Sequence, residues 1–204
     1  MNLNPVTLHG KHVRLESLST EHIESICEIG LEKSLWKWTI TNIETREDLE
    51  KYVKDAIYEQ LHGTGLPFAI MSNINSPDGS YRIVGSSRYF NIEPSHKRLE
   101  IGHTWIAPQW QRTIVNTEAK YLLLKYAFEK MGVNRVEFKT DALNKKSRIA
   151  IKRIGAHEEG ILRKHSITQL GRVRDTVYYS IISTEWDKVK KKLENKLAKT
   201  KSKG

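Results

Sequence analysis

Apolar residues recur along this chain with two periods, one of about two residues and one of about 3.6. The shorter period is typical of a β-strand with one buried face, and the longer period is typical of an amphipathic helix. The clearest helical pattern lies between residues 119 and 127, where the apolar positions follow spacings of three and four: Ala119, Leu122, Leu123, Tyr126 and Ala127. Gly132 comes soon afterwards and is expected to end this helix.

The two periods alternate in the order β-α-α-β-β-β-α-β-α-β-β-α. Thr45 and Asp48 have the spacing of a capping box at the start of the second helix, and Ser19 or Thr20 is expected to cap the first. A mixed α/β (α+β) fold with a central sheet of six to seven strands and helices on its faces satisfies this order. The predicted strands are HVRLESL, LPFAIMS, YRIVGSSRYF, RLEIGHTWIA, NRVEFKTD, EEGILRKHSIT and RDTVYYSII.

Charge divides the chain into two parts. Residues 187–204 hold eight lysines and two acidic residues, a net charge of +6 out of +10 for all 204 residues, so residues 1–186 carry +4. No repeat or low-complexity linker interrupts residues 1–186, which predicts one domain followed by a basic helix and tail. Trp186, Val189, Leu193 and Leu197 form one stripe, so the first turns of that helix are expected to dock. Nucleic acid is not an expected partner, because basic and aromatic residues do not alternate in the domain.

Other features narrow the function classes. No apolar run has the roughly 20 residues that cross a bilayer, and the first residues lack a signal-peptide pattern, so a cytoplasmic protein without membrane contact is expected. Cys27 is the only cysteine and lies on an apolar helix face, which predicts a small buried side chain rather than a nucleophile. No Cys/His cluster has the spacing of a metal site, so no metal is expected.

The loop from Gln111 to Asn116 lies between a strand and the clearest helix. In α/β sheets this is where ligands usually bind, and the free N–H groups of a helix N-terminus attract anions. Asn116 or Thr117 is expected to cap the helix, with positive charge from Arg112 and Lys120. An ordinary surface connection before a core helix is the alternative.

Five strings lie in the order found in the GNAT superfamily of N-acetyltransferases: VRLESL, LEIGHTWIAP, VNTEAKYLLLKYAFE, DALNKKSRIAIKRIGAHEEGILR and RDTVYYSI followed by TEW. The chain most resembles the branch that acetylates ribosomal-protein N-termini. The resemblance implies a GNAT fold and transfer of an acetyl group from the co-substrate acetyl-CoA, by direct attack, to a primary amine that is either a protein N-terminal α-amine or a small-molecule amine. It also implies a possible homodimer. A degenerate relative that binds coenzyme A or a partner without turnover is the alternative.

In that family the loop has Gln or Arg, then two residues, Gly, one residue, and Gly or Ala, and its amides hold the diphosphate. The matching residues here are Gln111, Ile114 and Asn116. A β-branched residue in the glycine position cannot readily adopt positive φ. Either the loop differs and binds more weakly, or Ile114 keeps negative φ and the N–H groups still converge. The resemblance implies the following coenzyme-binding residues: Thr104, Trp105, Ile106, Gln111, Arg112, Thr113, Ile114, Val115, Asn116, Thr117, Asn144 and Ser147.

Two residues are candidates for proton transfer. Glu100 matches a glutamate that some relatives use as a base, and strict alternation places it with Gly102 and Thr104, opposite Leu99, Ile101 and Trp105. A structural carboxylate paired with Lys or Arg is the alternative. Many relatives have a tyrosine acid where this chain has Ile151, whereas the N-terminal acetyltransferase branch has a serine matched by Ser147. That serine could instead bond only to the helix backbone.

Two aromatic residues and a charged pair complete the candidates. Trp36 and Trp38 lie where relatives build the wall of the acceptor pocket, although they could simply close the core. Arg174 and Asp175 match a signature of the last hairpin, for which an internal ion pair is a sufficient explanation.

Overall fold

The computed structural model describes residues 1, 3–168 and 170–199. One eight-stranded sheet runs through them in the order β1-β2-β3-β4-β5-β6-β8-β7, and all neighbours are antiparallel except β5 and β6. The strands are β1 Leu8–His9, β2 Val13–Ser17, β3 Leu66–Ser72, β4 Arg82–Glu93, β5 Arg98–Ile106, β6 Arg135–Asp141, β7 His157–Ile167 and β8 Val173–Ile182. The helices are α1 Ile23–Gly30, α2 Arg46–Leu61, α3 Val115–Glu129, α4 Lys145–Arg153 and α5 Trp186–Lys199.

The predicted order of elements is confirmed, with one addition. The two-residue strand β1 pairs with β2 and raises the strand count above the six to seven expected. A carboxylate from α3 holds the turn between them, because Glu118 accepts hydrogen bonds from the backbone N–H groups of Lys11 and His12. Glu118 is buried, so these bonds fix the N-terminal hairpin against the start of α3.

The helices divide the core into two clusters, one on each face of the sheet. The first lies beneath α1 and α2 and includes Ile26, Leu49 and Trp105. The second lies beneath α3, α4 and α5 and includes Leu123, Phe138 and further buried residues of the central strands. The sheet therefore presents β5 to a separate apolar layer on each side.

Local signals at the starts of α1 and α2 agree with the predictions. Thr45 and Asp48 form the expected capping box, in which Thr45 Oγ1 accepts from the N–H of Asp48 at 3.2 Å. Ser19 is the cap residue of the turn that leads into α1. Cys27 is buried, and burial raises the pKa of its thiol, as expected of a structural cysteine rather than a nucleophile.

Helix α5 docks against α3, as its apolar stripe predicted. The ring of Trp186 stacks on Phe128 at 5.2 Å, and its Nε1 donates to Glu129 at 3.1 Å. Val189 and Leu193 are buried in the same core. The part of the basic tail from residue 200 onwards lies outside the described residues.

A β-bulge in β5 overturns the predicted alternation of that strand. His103 has a φ of 48°, and the register between β4 and β5 shifts at the same place. Leu99 and Ile101 belong to the α3 core, so Glu100 faces α1 and α2 as expected. After the bulge the order inverts, because one extra residue moves every later side chain to the opposite face. Thr104 thus faces α3 and Trp105 faces α2, contrary to the prediction.

Candidate active site

The parallel strands β5 and β6 pair over only three residues and then separate. The paired positions are Arg98 with Arg135, Leu99 with Val136 and Glu100 with Glu137. β6 continues to Asp141 and pairs there with β8, while β5 continues to Ile106 and pairs there with β4. The β5 edge that faces β6 therefore has no strand partner beyond Glu100. This opening, which we call the β5–β6 gap, exposes backbone groups that can hydrogen-bond an extended ligand.

The loop that follows β5 leads into α3 without requiring a glycine at position 114. Ile114 precedes the helix with φ −71° and ψ −18°, an ordinary right-handed conformation. The positive φ of the loop falls instead on Arg112, at 62°. Of the two conformations left open for Ile114, the structure has the one with negative φ.

The start of α3 differs from the predicted cap. The helix begins at Val115, and neither Asn116 nor Thr117 caps it, because both already lie within the first turn. Thr113 takes that role in part, since its Oγ1 accepts from the N–H of Val115 at 3.3 Å. No described residue accepts a hydrogen bond from the N–H groups of Ile114, Asn116 or Thr117. These donors and the positive end of the helix dipole lie where an anion would be favoured.

Gln111 stabilises the turn rather than pointing into the loop. Its Nε2 donates to the carbonyl oxygen of Ile106 at 2.8 Å and so links the end of β5 to the loop. Trp110 contributes in the same way, because its Nε1 donates to Ile74 at 3.3 Å and its carbonyl accepts from Thr113 at 2.6 Å. The loop is thus held by side chains, where a glycine-rich loop would rely on backbone freedom.

Lys120 does not add charge to the loop surface, which corrects the prediction. Its side chain is 7% exposed and points into the α3 core. Nζ lies 2.5 Å from Thr104 Oγ1 and 3.2 Å from Ser87 Oγ, and 6.0 Å from the ring centre of Phe138. Burial lowers the pKa of this amine to about 7, and no charged group contributes to the shift.

Glu100 forms an ion pair on the other face of the sheet. Its Oε2 lies 2.7 Å from Lys139 Nζ and accepts from Asn91 Nδ2 at 2.9 Å. Glu100 is 3% exposed, and Lys139 Nζ also lies over the ring of Tyr178 at 4.8 Å. The structure therefore has the paired carboxylate that the sequence left as an alternative. A paired carboxylate next to the gap can still accept a proton from an incoming amine.

Comparison with known proteins decides the family. The profile described as "Acetyltransferase (GNAT) domain" matches residues 12–157, more than half of the chain. The chain belongs to the GNAT acetyltransferase family.

Similar proteins agree with this assignment over nearly the whole chain. A Bacillus subtilis protein named "Putative ribosomal N-acetyltransferase YdaF" is 30% identical over 187 residues, which cover 87% of this chain and 94% of that protein. A solved structure from T. thermophilus, described as a "putative acetyltransferase", has a TM-score of 0.85 and 32% identity over 97% of this chain and 100% of that one. A GCN5-related N-acetyltransferase from Brucella melitensis has a TM-score of 0.85 and 26% identity over 94% of this chain and 85% of that one.

The GNAT family uses acetyl-CoA, and the described residues offer a site that fits it. The uncapped N–H groups at the start of α3 suit a diphosphate, and the unpaired edge of β5 suits the amide-containing arm. Within residues 1, 3–168 and 170–199, no cluster of three or more His, Cys, Asp or Glu is arranged to hold a metal ion. No helix in the same ranges is long and apolar enough to span a bilayer.

The GNAT residues expected on α4 lie at its first turn. Asn144 is the cap residue, and its Oδ1 accepts from the N–H of Ser147 at 3.0 Å. The side-chain oxygen of Asn144 is therefore engaged within the helix, while the N–H groups of its side-chain amide are left for a ligand. Ile151 is buried in the α3 core, so the common tyrosine position of the family holds an apolar side chain here.

The two tryptophans of the predicted acceptor wall have different surroundings. Trp36 is buried, contacts the rings of Tyr52 and Trp105, and donates from Nε1 to the carbonyl of Gly30 at 2.7 Å. Trp38 is partly exposed. The guanidinium carbon of Arg172 lies over the Trp38 ring, 5.7 Å from the ring centre. Trp36 thus closes the core beneath α2, whereas Trp38 has a surface that a substrate can reach.

The charged pair predicted on the last hairpin does not form. Arg172, not Arg174, bonds to the buried carboxylate of Asp141. Asp175 instead accepts from the N–H of Lys164 at 2.7 Å. Arg174 Nε has no acceptor among the described residues, and burial lowers the pKa of this guanidinium.

Two lysines shape the site in ways that the sequence did not predict: Lys139 was not a candidate, and Lys120 was expected to add charge to the loop. Lys139 alternates with buried strand residues, so the sequence alone does not reveal its bond to Glu100. The burial of Lys120 could have been predicted from the sequence. Lys120 precedes Leu123, Leu124 and Ala127 by three, four and seven residues and so belongs to the apolar stripe. A lysine in such a stripe indicates a buried amine.

Proposed function

We propose that this GNAT acetyltransferase binds acetyl-CoA along the β5–β6 gap and transfers the acetyl group directly to a protein N-terminal α-amine. The observation that carries the proposal is the separation of β5 and β6 directly before a helix start with unused N–H donors. The diphosphate of acetyl-CoA can lie at the helix start while its extended, amide-containing arm lies along the unpaired edge of β5. The relative named as a ribosomal N-acetyltransferase supports the choice of acceptor.

The chain's own residues divide the work between the two ends of the gap. The backbone N–H groups of Ile114, Asn116 and Thr117 would hold the diphosphate, with Arg112 adding positive charge. The main chain from Thr104 to Ile106 would bond the arm in the manner of a neighbouring strand. Acetyl-CoA supplies a thioester whose carbonyl carbon an amine can attack. Alignment of the two reactants, rather than a covalent enzyme intermediate, would provide much of the rate enhancement.

Glu100 and the face around it would receive the acceptor. Glu100 lies on the α2 face beside the gap, and Trp38 is a partly exposed aromatic side chain beneath Arg172 of the last hairpin. In this proposal Glu100 removes the proton from the attacking amine, directly or through one water, while Lys139 stays paired with the carboxylate. Asn144 and Ser147, at the first turn of α4, would hydrogen-bond the thiol end of the coenzyme.

His103 is excluded as the base at neutral pH by its surroundings. Burial, assisted by the charge of Arg88, lowers the pKa of His103 to about 3, so the imidazole is neutral but only weakly basic. Its carbonyl accepts from the hydroxyl of Tyr52 at 3.2 Å, and its ring contacts Phe90 edge-on at 4.8 Å. These contacts stabilise the bulge.

The test is a coenzyme A release assay over a panel of acceptors, preceded by calorimetry with acetyl-CoA. The panel contains short peptides with different first residues, the same peptides with blocked α-amines, and small amines. We expect binding of the donor and release only with free peptide α-amines. Release with small amines alone would contradict the acceptor class. Donor binding without release for any amine would favour the non-catalytic alternative, and absence of donor binding would refute the proposal.

A homodimer is part of the proposal, and the exposed strand β7 supports it. This edge strand exposes Ile161, Leu162 and Ile167, and the neighbouring hairpin residue Val173 is exposed as well. Apolar residues grouped on an edge strand favour association with another chain. Light scattering coupled to size exclusion would distinguish a dimer from a monomer.

A further inference from the structure

Lys120 is a buried amine that the proposed reaction does not yet use. Its Nζ bonds to Thr104 of β5 and lies 6.0 Å from the ring centre of Phe138 on β6. Thr104 and Phe138 belong to the parts of the two strands that have separated. The amine therefore lies at the β5–β6 gap, beneath the main-chain segment proposed to bind the donor.

The groups around this amine are hydroxyls rather than carboxylates. Ser87 of β4 and Thr104 of β5 face Nζ, and Phe138 faces it from β6. The two hydroxyls also lie 2.7 Å apart and near the carbonyl of Gly102. These oxygens can accept hydrogen bonds from an ammonium, but they do not hold its proton as a carboxylate would.

Lys120 lies opposite the proposed base. Glu100 faces α1 and α2, whereas Thr104 and Lys120 face α3, because the bulge at His103 separates the two positions. In acyl transfer the attacking nitrogen and the departing sulfur occupy different corners of a tetrahedral carbon, so the groups that accept and donate the two protons can lie on different faces of β5. Lys120, at Thr104 on the α3 face, is the amine that lies beside the proposed donor segment and away from Glu100.

The other candidates on the α3 face are poor proton donors. Ile151 is apolar and buried where many relatives have a tyrosine. The hydroxyl of Ser147 is a far weaker acid than a thiol, so it can donate a hydrogen bond to sulfur but does not readily transfer its proton. An ammonium whose pKa is near the working pH meets the requirement for a general acid.

We propose that Lys120 is the general acid that protonates the coenzyme A thiolate. This inference rests on the proposed function. The amine nitrogen forms a bond to the carbonyl carbon and gives its proton to Glu100, while the C–S bond breaks and its electron pair stays on sulfur. The sulfur takes a proton from the Lys120 ammonium, and both side chains exchange protons with water before the next turnover.

Binding of the donor would itself favour the protonated form of Lys120. Burial lowers the pKa of the amine to about 7, so much of the free protein holds it neutral above that pH. The diphosphate would bind at the start of the same helix, and its negative charge would raise the pKa of the amine. When coenzyme A binds above neutral pH, the Lys120 amine should therefore take up a proton.

The first experiment compares turnover in Lys120→Met, Lys120→Arg and wild type. Lys125→Met is the matched control, because Lys125 is an exposed lysine on the same helix. We expect kcat to fall at least about 100-fold in Lys120→Met, with donor Kd within about threefold and loss of the high-pH limb of the kcat profile. Lys120→Arg should be equally slow, because a guanidinium keeps its charge but does not release a proton.

The second experiment needs no turnover. Calorimetric titration with coenzyme A in buffers of different ionisation enthalpy gives the number of protons taken up on binding. At pH 8 we expect uptake in wild type and in Lys125→Met and its loss in Lys120→Met. Circular dichroism and thermal unfolding of each variant check that the fold is intact.

Three outcomes would overturn the assignment while the acetyltransferase function stands. The first is full kcat in Lys120→Met, and the second is recovery of kcat in Lys120→Arg, which would indicate a fixed charge. The third is a stable acetyl group on Lys120, found by peptide mass spectrometry, which would make the amine an acceptor. Wild type that neither binds donor nor releases coenzyme A would instead refute the proposed function itself.

Discussion

Lys139 and Lys120 lie on opposite sides of the β5–β6 gap, and their surroundings differ in one respect. Lys139 has Glu100 at 2.7 Å, whereas Lys120 has only hydroxyls. Burial acts to lower the pKa of Lys139, but the hydrogen bond and charge of Glu100 outweigh it, and the pKa is raised. For Lys120 nothing opposes burial, and the pKa falls to about 7.

This difference shows that the counter-charge, together with burial, decides the protonation state of a buried lysine. One face of β5 holds a carboxylate paired with a lysine. The other face holds an amine that can gain and lose a proton near neutral pH. A transferase that moves one proton from amine to sulfur needs a group of each kind.

Breaking the ion pair should have the largest effect on stability. Lys139→Met leaves the buried carboxylate of Glu100 with Asn91 as its remaining partner, and we expect a loss of about 3 kcal/mol in the free energy of unfolding. Urea unfolding at pH 7 measures it. The double variant Glu100→Gln with Lys139→Met should recover much of the loss, because no charge remains buried. Equal stability of Lys139→Met and wild type would mean that the pair contributes nothing.

Removing the Lys120 amine should change how the free energy of unfolding depends on pH. The folded-state pKa of Lys120, about 7, lies below its unfolded value of about 10.4, so the unfolded chain binds more protons between these values. Stability from this group therefore rises with pH through that window, by about 2.6 kcal/mol between pH 6 and pH 9. Denaturant unfolding at both pH values should show this rise in wild type relative to Lys120→Met. Parallel pH dependence in the two proteins would contradict it.

The hydroxyls should matter only while the amine is charged. Thr104→Val removes the nearest acceptor and keeps the side-chain shape, so we expect a loss of about 1 kcal/mol at pH 6 and a smaller loss at pH 9. Ser87→Ala, at the more distant hydroxyl, is the comparison variant and should lose less. Both are measured by the same denaturant unfolding. A loss independent of pH would assign Thr104 to packing alone.

The smallest effect should come from restoring the family glycine. Ile114 has negative φ, so Ile114→Gly relieves no strain and should leave the donor binding free energy within about 0.5 kcal/mol of wild type. Calorimetry with acetyl-CoA tests this, with Arg112→Gly as the variant that should weaken binding through lost charge. A clear gain in affinity for Ile114→Gly would show that the side chain crowds the site.

Much of the fold could be predicted because the signals are local. The stripe on α3 and the capping box at Thr45 each depend on neighbours in sequence, so the element order followed directly. β1 escaped prediction because two residues carry no period. The predicted cap at Asn116 or Thr117 was wrong, and Thr113 Oγ1 instead accepts from the first free N–H of the helix, that of Val115.

The site was less predictable because its partners are distant in sequence. Glu100 and Lys120 could both be named, but the bond from Glu100 to Lys139 spans two parallel strands joined through α3. The expected pair of Arg174 and Asp175 illustrates the same limit. Adjacent residues in a strand point to opposite faces, so each formed contacts with other parts of the chain.

The order of elements, the family motifs and a loop at residues 111–116 without glycine could all be recognised from local spacing and residue type. Tertiary structure decided the face of β5 from which each group acts. One extra residue at His103 inverts the strand's alternation, and strict counting cannot foresee it. Tertiary structure also decided which lysine has a raised pKa and which a lowered one, because that depends on whether folding brings a carboxylate within about 4 Å of a buried amine.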